Sequence, residues 1–306
     1  MLKYTSAKMS KETSPENLSE YIPPGAIEIT ADRATHYIGR RLAEKIIART
    51  TVERPASFNM LFSLAISTGY LPIIVANHAS HADGMAVSKV TRHLTRIAQA
   101  SSPDGNFKGF SMPLAKSLLT GHQGWFLRMM YHLAEKPMKR NGLFALPLVR
   151  EKDIDMYKME DNTREYLASF RRRVEGNYGG IMLFPEGTTE GGKKDEEGNF
   201  KGMQPFEEKS ISAHMKLLKK HSGRRVVIIP AGITGGSEII NSETKGIPLY
   251  SFLKILDLSM LRITLGEIIP DDGSEFSHLR TSDDINRFVG GRIARLLPSE
   301  MRGVYA

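Results

Sequence analysis

"YLPIIVANHASHADGMAVSKVTRHL", residues 70–94, changes texture twice. Its first seven residues form an apolar run without polar alternation, the pattern of a strand covered on both faces. "GMAVSKVTRHL" at the other end has helical texture. The polar "NHASHADG" between them falls where a parallel strand ends, and open α/β sheets bind ligands outside those ends. One stretch therefore reads as strand, loop and helix, with a histidine-bearing loop where a site belongs.

The same texture recurs along the chain. "LFALPLV" (143–149), "GIMLFP" (180–185), "RVVIIPA" (225–231) and "LRITLG" (261–266) read as further strands. Helical patterns alternate with them. "DNTREYLASFRRRVEG" sets Tyr166, Leu167, Phe170 and Val174 at helical spacing and stops at Gly176, and "EKSISAHMKLLKKHSG" does the same with Ile211, Met215 and Leu218. "SDDINRFVGGRIARLLP" is a capped helix stopped by Pro298. This alternation predicts an α/β fold: a mostly parallel central sheet with helices on both faces, an αβα sandwich, preceded by a helical N-terminal segment.

The expected organisation is a mobile tail over 1–27, a helical segment over 28–69 and an α/β domain over 70–306. The tail, rich in Lys, Glu and Ser, has no apolar core of the kind a secretory signal needs. The longest apolar stretch, residues 60–76, is interrupted by Ser63, Ser67, Gly69 and Pro72. A bilayer span takes about 20 apolar residues, so this reads as a buried helix followed by a strand. "GTTEGGKKDEEGNFKG" (187–202), Gly-rich and charged, predicts an exposed, mobile loop.

The 306 residues include no cysteine, which excludes disulfides, thiolate metal sites, iron–sulfur clusters and a cysteine nucleophile. The net charge of +8 favours acidic partners: phosphate-bearing substrates, an anionic membrane face or an acidic carrier protein. No zinc-finger spacing or RNP-like strand accompanies it, so nucleic acid is not an expected partner. "ATHYIGRRLAEKIIART" mixes an apolar stripe with Arg40, Arg41, Lys45 and Arg49, either a solvated face or a basic surface against anionic lipid.

The loop at 77–84 admits three chemistries. As a zinc site it fits poorly: His78 and His81 are three apart where HxHxDH requires two, Gly84 replaces the last histidine, and HExxH is not matched. As a catalytic pair, His78 takes a proton from an alcohol attacking an acyl carbon. Asp83, folded back onto the other ring nitrogen, fixes the tautomer. The bland reading makes Asp83 only the N-cap of the following helix. At a second strand end, "LFPEGTTEGG" places Glu186 where it can contact a polyol, beside a glycine that permits close backbone approach. Gly187 to Lys194 approaches a P-loop, but Lys194 stands where Ser or Thr would hold magnesium. "GFSMP" (109–113) approaches a serine-hydrolase elbow, with Pro113 in place of the last glycine.

"NHASHAD" followed about a hundred residues later by "FPEGT" resembles the glycerolipid acyltransferase family. Asn77, His78 and Asp83 match its NHxxxxD block, and Phe184, Pro185, Glu186, Gly187 and Thr188 match FPEGT. "GLFALPLVR", with Gly142 and Arg150, and "VVIIPAGIT", with Pro230, resemble its two remaining blocks, and "NTR" at 162–164 is similar to the plastid glycerol-phosphate branch. The resemblance spans roughly residues 70–235. It implies transfer of a fatty acyl group from an acyl-CoA or acyl-carrier-protein thioester to a hydroxyl of glycerol 3-phosphate, in phospholipid synthesis. Lysophosphatidate is the alternative acceptor and a zinc-dependent hydrolase the remoter alternative. His78 and Asp83 are the implied catalytic residues, with Arg150 on the acceptor phosphate and Glu186, Gly187, Thr188 and Pro230 around the acceptor. Many members follow FPEGT with Arg-Ser where this chain has Thr189-Glu190, which leaves Lys193 or Lys194 to supply the missing cation. No metal or further cofactor is implied. The expected location is cytoplasmic, with peripheral contact on the inner membrane face.

Overall fold

A computed structural model describes residues 33–117, 125–149, 159–239 and 261–306. The tail expected over 1–27 lies outside the described residues. The chain runs α1 (Arg33–Arg49), β1 (Thr51–Glu53), α2 (Phe58–Ser67), β2 (Leu71–Ala76), α3 (Asp83–Ser101) and β3 (Phe110–Ala115). It continues through α4 (Trp125–Arg140), β4 (Leu143–Leu148), α5 (Met159–Glu175), β5 (Gly180–Leu183) and α6 (Ser210–Ser222). It ends with β6 (Val226–Thr234), the short α7 (Gly236–Ile239), β7 (Arg262–Leu265), β8 (Ile269–Pro270) and α8 (Ser282–Ala294).

The strands form one sheet in the order β1-β7-β6-β2-β5-β3-β4, with β8 also paired to β6. From β6 to β4 every pairing is parallel. The fold is α/β, with helices packed on both faces of this mostly parallel sheet. β2 shows why its sequence is apolar throughout: Ile74 and Ala76 point into one core layer, while Leu71, Ile73 and Val75 point into the other. The first layer is built with α1, α2, α3 and α4, through side chains such as Ile46, Phe62, Leu94 and Met138. The second is built with α5, α6 and α8, through Phe170, Ile211 and Val289. Removing such a fully buried side chain costs about 2–5 kcal/mol.

Three readings of the sequence change. The segment 28–69 is not helical throughout, because Thr51–Glu53 forms an edge strand paired to β7. The run at 261–266 is a strand, but it lies antiparallel to β6. "GFSMP" also belongs to a strand, β3. Its pairing to β5 ends at Ser111, so Pro113 falls where β3 keeps only β4 as a partner.

Candidate active site

β2 and β5 are parallel neighbours, and their chains leave the sheet to opposite faces: β2 leads into α3 of the first layer, β5 towards α6 of the second. Such a divergence leaves a crevice at the strand ends. Residues 77–83 line one side of it and residues 184–192 the other.

His78 Nδ1 lies 3.2 Å from Asp83 Oδ2. The same oxygen accepts the backbone N–H groups of Ala79 and Ser80, each at 2.8 Å. Asp83 is the first residue of α3, yet its carboxylate does not cap that helix; Ala82 occupies the N-cap without a side-chain bond. The carboxylate turns back onto the loop. With Asp83 as acceptor, Nδ1 carries the ring hydrogen and Nε2 presents its lone pair. The Asp83 side chain is fully buried, whereas that of His78 keeps 20% exposure. The ring stacks on Phe184 at 4.3 Å between centroids, 24° from coplanar.

Asn77 braces the loop from below: its amide donates to Ile233 O at 3.0 Å and its oxygen accepts Ile233 N–H at 2.7 Å. This ties the end of β2 to the end of β6. From the other side, Glu186 accepts the N–H of His78 through Oε1 and that of Gln204 through Oε2, both at 2.8 Å. Burial pushes the Glu186 carboxyl up to about 8; the two N–H donors pull it down and the nearby Asp83 charge adds to the rise. Glu186 is 5% exposed. It works as a bracket between the two strand-end loops.

The loop expected to be mobile is packed at its start. Gly191 and Gly192 are buried, and a β-carbon on Gly192 would lie 1.9 Å from Ala79 O. The same carbonyl accepts the Ser237 hydroxyl at 3.3 Å. A β-carbon on Gly236 would meet Asp83 Oδ1 at 2.3 Å. Gly192 and Gly236, the second members of two Gly-Gly pairs, thus let backbone close on the histidine loop. Their position beside strand ends was the sequence signal for these contacts, together with the aromatic residue at 184.

Gly187 adopts φ +60° with Glu207 beside it, and the Thr188 hydroxyl accepts Glu190 N–H at 3.3 Å. Lys193 pairs with Glu190, and Lys194 lies over the Phe200 ring at 5.6 Å. Pro230 sits inside β6 opposite Val75, as part of the sheet rather than of either loop. Its carbonyl accepts Gly266 N–H, so its missing N–H faces the same side, where pairing passes from β8 to β7. Gly142, with φ +74°, packs against Thr95 at the opposite end of β4 from this crevice. Arg150 lies outside the described residues. Lys116, which the sequence reading missed along with β3, follows that strand and donates to Asn162 and Glu165.

Among the described residues no group of three or more His, Asp or Glu could hold a metal ion, and no helix is long and apolar enough to cross a membrane. The His78 and His81 rings meet edge to face at 6.5 Å. Compared with known proteins, the chain matches no family model and no curated protein.

Proposed function

We propose that the protein is an O-acyltransferase that moves a fatty acyl group from an acyl-CoA or acyl-carrier-protein thioester to a hydroxyl of glycerol 3-phosphate. The observation that supports this best is the His78–Asp83 pair at 3.2 Å, held at a strand end with Nε2 left for a substrate. In this reading Nε2 takes the hydroxyl proton as the oxygen attacks the thioester carbonyl carbon. Asp83 holds the imidazolium that results. The carbon–sulfur bond then breaks and the imidazolium returns its proton to the departing sulfur. The ester and the free thiol leave, and no acyl-enzyme forms.

Arg150 is the proposed partner of the acceptor phosphate, through paired guanidinium hydrogen bonds. Contact with an anionic membrane belongs to the same reading and draws support from Met60, Leu61 and Leu64, which α2 leaves exposed.

The test is free-thiol release with acyl-CoA or acyl-carrier protein, offered in turn with glycerol 3-phosphate and lysophosphatidate. The acceptor that turns over identifies the branch. His78→Ala should lower the rate by about 10²–10⁴-fold, while His81→Ala should change it little. Wild-type rate in His78→Ala, or the reverse ranking of the two, would refute the assignment. A hydrolytic rate that needs added zinc would favour the hydrolase.

A further inference from the structure

At the opposite end of the sheet, α1, α3, α4 and the turn before β4 line an open pocket of about 550 Å³. It is separate from the histidine loop: Thr95 on its wall is twelve residues along α3 from Asp83, about 18 Å at the helical rise. Around it stand Arg92, Arg96, Lys108 and Arg140, all exposed, and the half-buried Lys139, against a single acid, Glu44.

The ion pairs around it leave that charge unbalanced. Glu44 is shared by three guanidinium groups, those of Arg40 at 3.0 Å, Arg41 at 3.6 Å and Arg140 at 3.9 Å. Lys139 is taken by Glu135 at 3.1 Å. Arg92, Arg96 and Lys108 have no carboxylate partner among the described residues. Lys139 and Arg140 lie in the last turn of α4, where a cation complements the helix dipole. That account does not extend to Arg92 and Arg96, which stand before the last turn of α3. They are one turn apart on one face, a like-charge spacing that destabilises a bare helix.

A sixth cation reinforces the field. Arg173 is 8% exposed, and its guanidinium packs 5.2 Å from the Phe144 ring and 4.9 Å from the Tyr178 ring. Lys108 lies 5.5 Å from the same Tyr178 ring, so one ring joins the buried charge to a lysine of the pocket. The Nε of Arg173 is buried without a hydrogen-bond partner. Rings attract cations without neutralising them, so this region keeps a net positive potential.

We infer that the pocket binds a small polyanion bearing two or more phosphate groups, with Arg92, Arg96 and Lys108 as its principal contacts. Guanidinium pairs meet phosphate oxygens in a bidentate manner, and the lysine adds a point charge. Three uncompensated cations match the charge of a pyrophosphate-like group.

The experiment is calorimetric titration of the full chain with pyrophosphate at constant ionic strength, with chloride as the reference salt. Saturable binding below the millimolar range is expected. Arg92→Gln with Arg96→Gln should weaken it at least about tenfold, because two charge-assisted contacts are lost. Lys216→Gln with Lys220→Gln, an equal charge change on the other face, should leave it within about twofold. Absence of saturation, or equal loss in both double variants, overturns the proposal. A second arm measures sedimentation with phosphatidate vesicles. If the arginine pair governs vesicle binding while pyrophosphate never saturates, the face is a lipid surface and the small-molecule site is wrong.

Discussion

Gly236 stands so close to Asp83 that a β-carbon on it would lie 2.3 Å from Asp83 Oδ1. That oxygen is buried without a hydrogen-bond partner, while Oδ2 collects the His78 ring and two backbone N–H groups. The carboxylate is therefore oriented by donors on one oxygen and by a backbone wall against the other. Gly236→Ala should push the carboxylate off His78 and lower acyl transfer by about 10- to 100-fold, since small displacements of a catalytic group cost that much. Thiol-release kinetics checks this. A rate near wild type would mean that residues 235–237 yield without moving Asp83.

Asp83→Asn should affect both rate and stability. An amide has one oxygen: if it stays on the loop donors, the NH₂ is buried against Gly236; if it turns, the NH₂ faces two N–H groups. Either way a buried polar group goes unsatisfied, at about 1–3 kcal/mol. Turnover should fall on the order of 10²–10⁴-fold, because the neutral amide no longer balances the imidazolium. Denaturation midpoints and kcat are the two readouts. Loss of stability without loss of rate would reduce Asp83 to a loop brace.

Glu186 sets a pH dependence with a definite sign. Its carboxyl is pushed up to about 8 in the folded chain from an ordinary 4.5, so the folded state holds the extra proton between these values. Its contribution to stability is complete below pH 4.5 and is lost as pH rises through 8. Glu186→Gln removes the titration. The variant is expected to lose that downward slope while carrying a constant cost, because one N–H of the His78–Gln204 bracket then faces an amide NH₂. Urea midpoints measured across this window, wild type against variant, decide it; parallel curves would place the Glu186 titration elsewhere.

Phe184→Leu keeps an apolar side chain under His78 but removes the flat surface on which the imidazole lies. The change removes three carbons from a half-buried side chain, which costs about 1–3 kcal/mol of stability. The rate should fall about tenfold as the ring loses its fixed plane, and Phe184→Tyr should restore it. Equal rates in all three proteins would make the stack irrelevant to turnover.

The sequence revealed what is local and concealed what is distant. β2, β4, β5 and β6 are apolar runs long enough to read directly. β1 and β8 have three and two residues, too few for any periodicity, and exist through their sheet partners. β3 was hidden by Pro113, whose harmlessness depends on β5 ending its pairing at Ser111. The direction of β7 could not be read, because a run of apolar residues has no polarity of its own. In the site, His78 and Asp83 are five residues apart and were visible as a pair. Glu186 reads from sequence as a ligand contact, because its backbone donors lie 108 residues before it and 18 after it. Lys193, which the sequence alone leaves available for a phosphate, is held by Glu190.

The brackets on the histidine loop have a consequence for how the molecule is made. Asn77 reaches its backbone partner across 156 residues of chain, and Ser237 meets Ala79 across 158. Closing loops of that length is slow and comes after local pairing. During synthesis the His78–Asp83 turn can form as soon as it leaves the ribosome, but β6 and Gly236 emerge last among the parts that hold it. A nascent chain stopped before residue 233 therefore owns the His78–Asp83 pair without the clamp that aims it. The aimed geometry of the pair thus arrives late, as a property of the finished chain, and under the proposed function the recovery of turnover on refolding reports the final closure of the sheet.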